Sequence, residues 1–299
     1  MMRPLSLSLE RSLAASTPDR AVYRLRSTLA GLQEQAATGL RVNRPSDDPL
    51  AFEQARHWEA LGVRLDQHLR AVGAARVWVD HTAVALDGLA ELATTAYEEG
   101  LQGLNDTLSD EDRAALADHI DALTEEMIDR LNTQVSGEYI FGGNRTDQPP
   151  FADDGTATGG DVSGARVRRI GPGVDLQINM PGDRVQDLGG GQTAIGAMRA
   201  LADALRGTGD LEAAVAEVTA ARDHFIALGS EVGEVGSRLS AAELQLNDTK
   251  LQAERRRSEL EDADLFDVAS GLQRTQGQLE AALQTIATLR QRSLLDYLR

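Results

Sequence analysis

The stretch AFEQARHWEALGVRLDQHLRAV, residues 51–72, sets the character of the chain. Its apolar or small residues fall at Ala51, Ala55, Trp58, Gly62, Leu65, Leu69 and Val72, at intervals alternating four and three. That spacing puts them on one stripe of an α-helix, the pattern of a coiled-coil seam. Arg76 interrupts the pattern, which resumes at Val79, Ala83, Leu86, Ala90, Ala93 and Tyr97. Pro49 stands just before the run, where its missing N–H is harmless at a first helical position. A helix from about residue 50 to 104 is about 80 Å long at 1.5 Å per residue. A compact chain of this length has a radius of gyration near about 19 Å. The expected fold is therefore mainly α and elongated: a coiled-coil-like helical rod.

The same period appears on both sides of this helix. Towards the N-terminus, Val22, Leu25, Leu29, Leu32 and Ala36 are spaced 3, 4, 3, 4 and end near Gly39. Downstream, Ser109-Asp110-Glu111-Asp112 reads as an acidic helix start. A seam of Leu116, Ile120, Leu123, Met127 and Leu131 follows it. In the C-terminal third the seam runs Val232, Val235, Leu239, Ala242, Leu246, Thr249 and Ala253. Its phase slips between Leu260 and Leu265, which predicts a break or joint. It then resumes through Leu265, Val268, Leu272, Thr275, Leu279, Ala282, Ile286 and Leu289. Leu294, Leu295 and Leu298 form an apolar tail. Helices from the two halves of the chain are expected to pack side by side and nearly parallel.

Composition narrows the function. The chain of 299 residues is 41% hydrophobic but only 4% aromatic, so its core rests on Leu, Ala and Val. A net charge of −17 opposes nucleic acid or anionic lipid as a partner, since both require a basic surface. The acid is concentrated in residues 51–136, with 17 acidic against 6 basic groups, as on a solvated outer helix face. No apolar run approaches the roughly 18 residues of a membrane helix, so no membrane insertion is expected. The absence of cysteine removes thiol catalysis, disulfide scaffolds and cysteine-ligated metal. The N-terminal residues meet Glu10 too soon to form a cleavable signal peptide.

Residues 142–191 differ from their surroundings, holding 12 of the 28 glycines and 4 of the 8 prolines. Within them Val174, Leu176, Ile178 and Met180 alternate with polar residues, as in a half-buried strand. Val167 to Ile170 is a partner, joined through Gly171-Pro172-Gly173. This reads as a small central β-rich insertion.

Few motifs carry chemistry. In Ser46-Asp47-Asp48-Pro49, Asp48 is placed to cap the helix and Asp47 to complement its positive end. The five histidines, His57, His68, His81, His119 and His224, show no metal-ligand spacing. Gly189-Gly190-Gly191 lacks the Lys of a phosphate loop and reads as a flexible connector. Gly142-Gly143-Asn144 reads as a helix stop. Arg255-Arg256-Arg257 lies between acids and reads as a solvated face. No serine has a nucleophile context. Neither an enzyme nor a cofactor or metal site is expected.

Three stretches together resemble the flagellin family, in the form found in its hook–filament junction members. The first is Ala37-Thr38-Gly39-Leu40-Arg41-Val42-Asn43-Arg44-Pro45-Ser46-Asp47-Asp48-Pro49, with Asn43, Ser46, Asp47, Asp48 and Pro49 as its signature positions. The second is Gly137-Glu138-Tyr139-Ile140-Phe141-Gly142-Gly143-Asn144, a turn motif marked by Tyr139, Phe141, Gly142 and Gly143. The third is the ending Ser293-Leu294-Leu295-Asp296-Tyr297-Leu298. The resemblance implies three parts. Residues 1–45 with 266–299 would form a terminal coiled-coil assembly domain, 46–141 with 192–265 a helical rod, and 142–191 the outer insertion. It implies a structural adaptor that joins the hook-associated region to the flagellin filament by polymerising through its terminal helices. Self-association in a ring or tube, a second hook-associated protein, flagellin, and an export chaperone at the C-terminal helix are the implied partners. Export would follow the flagellar type III route without cleavage. The implied assembly interface is Leu25, Leu29, Leu32, Leu279, Ile286, Leu289, Leu294, Leu295 and Leu298, because a seam this thin is marginal without a partner. A filament-forming flagellin shares this terminal chemistry and is the alternative; a cytoplasmic coiled-coil scaffold is a more distant one.

Overall fold

The computed structural model describes the backbone of residues 6–158 and 162–297 and the side chains of residues 20–158 and 162–288. The described helices are α1 (Ser6–Thr38), α2 (Pro49–Gly103), α3 (Asp110–Leu131), α4 (Gly182–Gln186), α5 (Ala194–Leu205), α6 (Leu211–Glu261) and α7 (Leu265–Tyr297). Among the described residues, six short strands pair as three antiparallel hairpins: β1 (Gln134–Val135) with β2 (Glu138–Tyr139), β3 (Val167–Gly171) with β4 (Val174–Gln177), and β5 (Asp187–Gly189) with β6 (Gln192–Thr193). The chain forms two compact units. Unit 1 comprises residues 1–63 and 250–299, and unit 2 comprises residues 64–249. Both α2 and α6 contribute residues to each unit.

Unit 2 is a helical bundle carrying the hairpins. As α2 advances from Arg76 to Gly100, its neighbours on α6 retreat from Glu243 to Val215, so the two helices run antiparallel. Leu86, Leu89, Ala93 and Ala96 of α2 are fully buried, as are Ile120, Met127 and Leu131 of α3, Met198 and Leu201 of α5, and Val218 and Phe225 of α6. These positions recur at helical spacing, and each buried large side chain contributes about 1.5–3 kcal/mol. Helix approach is close where α2 is glycine: a Cβ at Gly100 would lie 2.8 Å from Val215 Cγ2 and 3.1 Å from Leu201 Cδ1. Salt bridges from Arg206 to Asp118 (2.7 Å) and Asp121 (2.6 Å) tie the end of α5 to α3.

The expected third helix begins at the expected place. Ser109 is its N-cap, and a reciprocal capping box joins Ser109 to Asp112. The helix ends at Leu131, so Gly142-Gly143 is not its stop. Asn132 closes it instead: its Nδ2 donates to Phe151 O (2.9 Å) and its Oδ1 accepts from Phe151 N (3.1 Å). The backbone then turns through Ser136 (φ 55°) and Gly137 (φ 83°) into β2, both left-handed as a tight hairpin of this twist demands.

The insertion departs from its expected outline in two ways. The expected strand through Met180 ends at Gln177, with Val174 50% exposed. Ile178 and Met180 are buried after the strand, where the chain has left the ladder. Gly189, Gly190 and Gly191 are not a loose connector. All three have positive φ, a conformation that favours glycine: Gly189 ends β5, and Gly190 and Gly191 form the turn to β6.

Candidate functional site: the paired chain ends

Unit 1 is built from the two ends of the chain. α1 packs against α7, and the register is fixed near the joint, where a Cβ at Gly271 would touch both Leu32 methyls at 3.4 Å. The seam between them is shallow. Val22, Val268 and Thr275 are buried, whereas Leu25, Leu29, Leu32, Leu272, Leu279 and Ile286 are only half-buried and Ala36 is exposed. Leu289, Leu294 and Leu295 lie outside the residues whose side chains are described, and Leu298 lies outside the described backbone. Two helices side by side bury one stripe each and leave the flanks of large leucines in water.

The segment from Gly39 to Pro49 is the joint between α1 and α2, and it also clasps the α6–α7 break. Gly39 (φ 74°) reverses the chain after α1 in the left-handed conformation that favours glycine. Arg41 N and Val42 N both donate to Glu261 O, at 2.6 and 3.3 Å, and Ala263 N donates to Gly39 O at 2.9 Å. Arg41 Nη2 adds a bond to Leu260 O (2.7 Å). The break at residues 262–264 thus coincides with the phase slip in the sequence, and its freed backbone groups pair with the N-terminal joint.

The two adjacent aspartates have separate roles. Asp48 Oδ1 accepts from Ala51 N (3.0 Å) in the first turn of α2, and Pro49 follows as the first helical residue. Asp47 Oδ2 accepts from Asn43 N (3.1 Å) and Arg44 N (2.9 Å), so it holds the loop rather than the helix. Asn43 Nδ2 donates back to Leu40 O (3.2 Å). Ser46 is exposed within this turn. Glu261, which sequence periodicity did not single out, is only 6% exposed and sits between Arg56 (3.6 Å) and Arg257 (3.7 Å). Burial of a carboxylate is favourable only with such pairing.

The turn motif lies in unit 2 and is structural in its contacts. Phe141 is fully buried, and Tyr139 is half-buried with its N–H bonded to Thr146 O (2.9 Å). A Cβ at Gly142 would lie 2.4 Å from Arg145 O, and Gly143 has φ 60°. Among the described residues no group of three His, Cys, Asp or Glu side chains is arranged to hold a metal ion, and no helix is long and apolar enough to cross a membrane.

The chain matches two models of one family. Residues 12–146 match the bacterial flagellin N-terminal helical region, and residues 215–298 the bacterial flagellin C-terminal helical region. It is 28% identical over 292 residues to flagellar hook-associated protein 3 of Salmonella typhimurium, covering 89% of this chain and 91% of that one. It is 32% identical over 157 residues to flagellar hook-associated protein 3 of Escherichia coli, covering 52% and 49%. A solved structure of the flagellar junction protein of Legionella pneumophila superposes with a TM-score of 0.60 at 14% identity, over 70% of this chain and all of that one. A Vibrio parahaemolyticus structure assigned to the flagellar hook-associated proteins gives 0.67 at 20% identity, over 72% and 100%. At these identities the structures speak for the fold.

Proposed function

The chain belongs to the flagellin family, and on that premise we propose that it is a structural component of the bacterial flagellum, the junction protein that links the hook-associated region to the flagellin filament. One observation carries this reading: the likeness to a hook-associated protein 3 extends over nearly the whole of both chains, terminal helices included. That favours a junction protein over a filament-forming flagellin. The shallow α1–α7 seam supports the mechanism. Half-buried Leu25, Leu29, Leu32, Leu279 and Ile286 leave apolar flanks that neighbouring subunits would cover, so that assembly completes the fold of unit 1. The partners are further copies of this chain in a ring or tube, a second hook-associated protein on one side and flagellin on the other. An export chaperone would shield the C-terminal helix before secretion by the flagellar type III route.

Deleting the gene and imaging the cells tests the role. Intact hooks, missing filaments and flagellin in the medium are expected; filaments of normal number would overturn it. Leu29→Asp with Ile286→Asp tests the mechanism. Complementation should fail while unit 2 keeps its helical signal, because two charges then occupy apolar contacts.

A further inference from the structure

Little in the local sequence obliges α6 to stop at Glu261. Glycine and proline, the residues that most readily end a helix, are absent from the whole stretch between Gly236 and Gly271. The break at residues 262–264 consists of Asp262, Ala263 and Asp264, which a helix interior accepts at small cost. Asp264 alone favours a new start, since its Oδ1 accepts from Phe266 N (2.9 Å) and Asp267 N (3.2 Å).

The hydrogen bonds show what takes the place of the helix. In an unbroken helix Ala263 N, Asp264 N and Leu265 N would donate to Glu259 O, Leu260 O and Glu261 O, each four residues back. Here Ala263 N donates to Gly39 O (2.9 Å) instead. Leu260 O accepts from Arg41 Nη2 (2.7 Å), and Glu261 O accepts from Arg41 N (2.6 Å) and Val42 N (3.3 Å). Leu40 bridges Asp262 as a strand partner would. Residues 39–42 therefore act as a strap that occupies the groups a continuing helix would use. Asp264 N and Leu265 N are left without a hydrogen-bond partner among the described residues.

We propose that the break is conditional: the docked strap imposes it, and with the strap undocked α6 and α7 run on as one helix. The device sets how α7 is presented. Ala253 closes the apolar stripe of α6 and Leu265 opens that of α7, 265 − 253 = 12 residues later. At about 100° per residue, one continuous helix would carry the second stripe about 120° around the axis from the first. With the strap docked, α7 begins afresh and lies against α1. The strap follows directly on α1 in the chain, so a single docking event gives α7 both its separate start and its partner. This inference concerns the isolated chain and does not depend on the assembly role proposed above.

Residue-resolved hydrogen exchange on the purified full-length protein tests this at Asp264 and Leu265. Arg41→Pro removes the Arg41 N–H and guanidinium together. Gly39→Val acts on the other side, placing a β-branched residue at φ 74° and displacing the acceptor of Ala263 N. In the wild type the Asp264 and Leu265 amides should exchange rapidly. In each variant they should slow at least tenfold, because a continuous helix supplies Leu260 O and Glu261 O as acceptors, while unit 2 exchanges as before. A strap that merely braced a pre-existing break would leave these two amides as fast or make them faster, and that result in either variant would overturn the proposal. Adding Ala263→Pro to Arg41→Pro bars a continuous helix at this point and should bring rapid exchange back. Slow exchange retained in that double variant would equally overturn it.

Discussion

Asp47 and Asp48 are neighbours with the same side chain, yet they hold different parts of the molecule. Asp48 caps α2, while Asp47 gathers the Asn43 and Arg44 amides of the preceding loop. Asp47→Ala should release both amides, lowering the stability of unit 1 by about 1–2 kcal/mol, as for loss of charge-assisted bonds at an exposed site. Hydrogen exchange should show Asn43 and Arg44 exchanging faster with little change in unit 2. Unaltered exchange there would remove Asp47 from this role. The helix-start reading of Ser46 to Pro49 was legible because capping is local chemistry. The loop role of Asp47 was not, because it depends on where the backbone doubles back. Glu261 and Asn132 escaped for a similar reason: their partners lie 205 and 19 residues away in the chain, at Arg56 and Phe151. Gly142 was legible as a turn residue, but its constraint is steric. Gly142→Ala would bring a methyl against Arg145 O and should destabilise unit 2 by about 1–3 kcal/mol, seen as a lower melting temperature.

Among elements, α3 is the most fully specified by its own residues. Its start at Ser109 and the burial of Ile120, Leu123, Met127 and Leu131 follow from capping and a 3–4 repeat. The Ser109 hydroxyl and then its N–H hold the Asp112 carboxyl below its usual pKa. A carboxyl depressed on folding adds stability above its ordinary value of about 3.9 and loses it as the pH falls through the lower folded value. Asp112→Ala should therefore unfold at a lower temperature than the wild type at pH 7, and the gap should narrow as the pH drops below the carboxylate range. A gap that widened in acid would contradict this. The α6–α7 break was equally legible, since a slipped heptad cannot keep one stripe facing one partner. The hairpins were less so. Short strands of two to five residues carry too few alternations to fix their ends, and a row of glycines reads alike as a linker or as a turn.

At the scale of the whole molecule, sequence periodicity revealed the paired helices but not what the insertion touches. The Arg166 guanidinium lies 4.4 Å above the ring of Trp78, which is 7% exposed, and bonds Glu138 at 2.8 Å. Arg184 reaches Glu231 of α6 at 2.9 Å, and its carbonyl meets His224 Nε2 at 2.8 Å. The insertion is therefore packed on the bundle of unit 2. Replacing residues 146–190 with a short glycine–serine linker should uncover Trp78 and lower the melting temperature of unit 2, with tryptophan emission shifting to the red. An unchanged transition would show that this packing contributes little. Unit 1 is the discontinuous one, its halves separated in the chain by all of residues 64–249. That order imposes a timetable. At about 5–20 residues per second on the ribosome, the N-terminal arm emerges roughly 10–40 s before the first residue of its C-terminal counterpart. By the end of that interval every residue of unit 2 has been made, while α1 still has no α7 to meet. The residues that close the joint at Gly39, Leu260 to Ala263, are thus read only after the whole of unit 2.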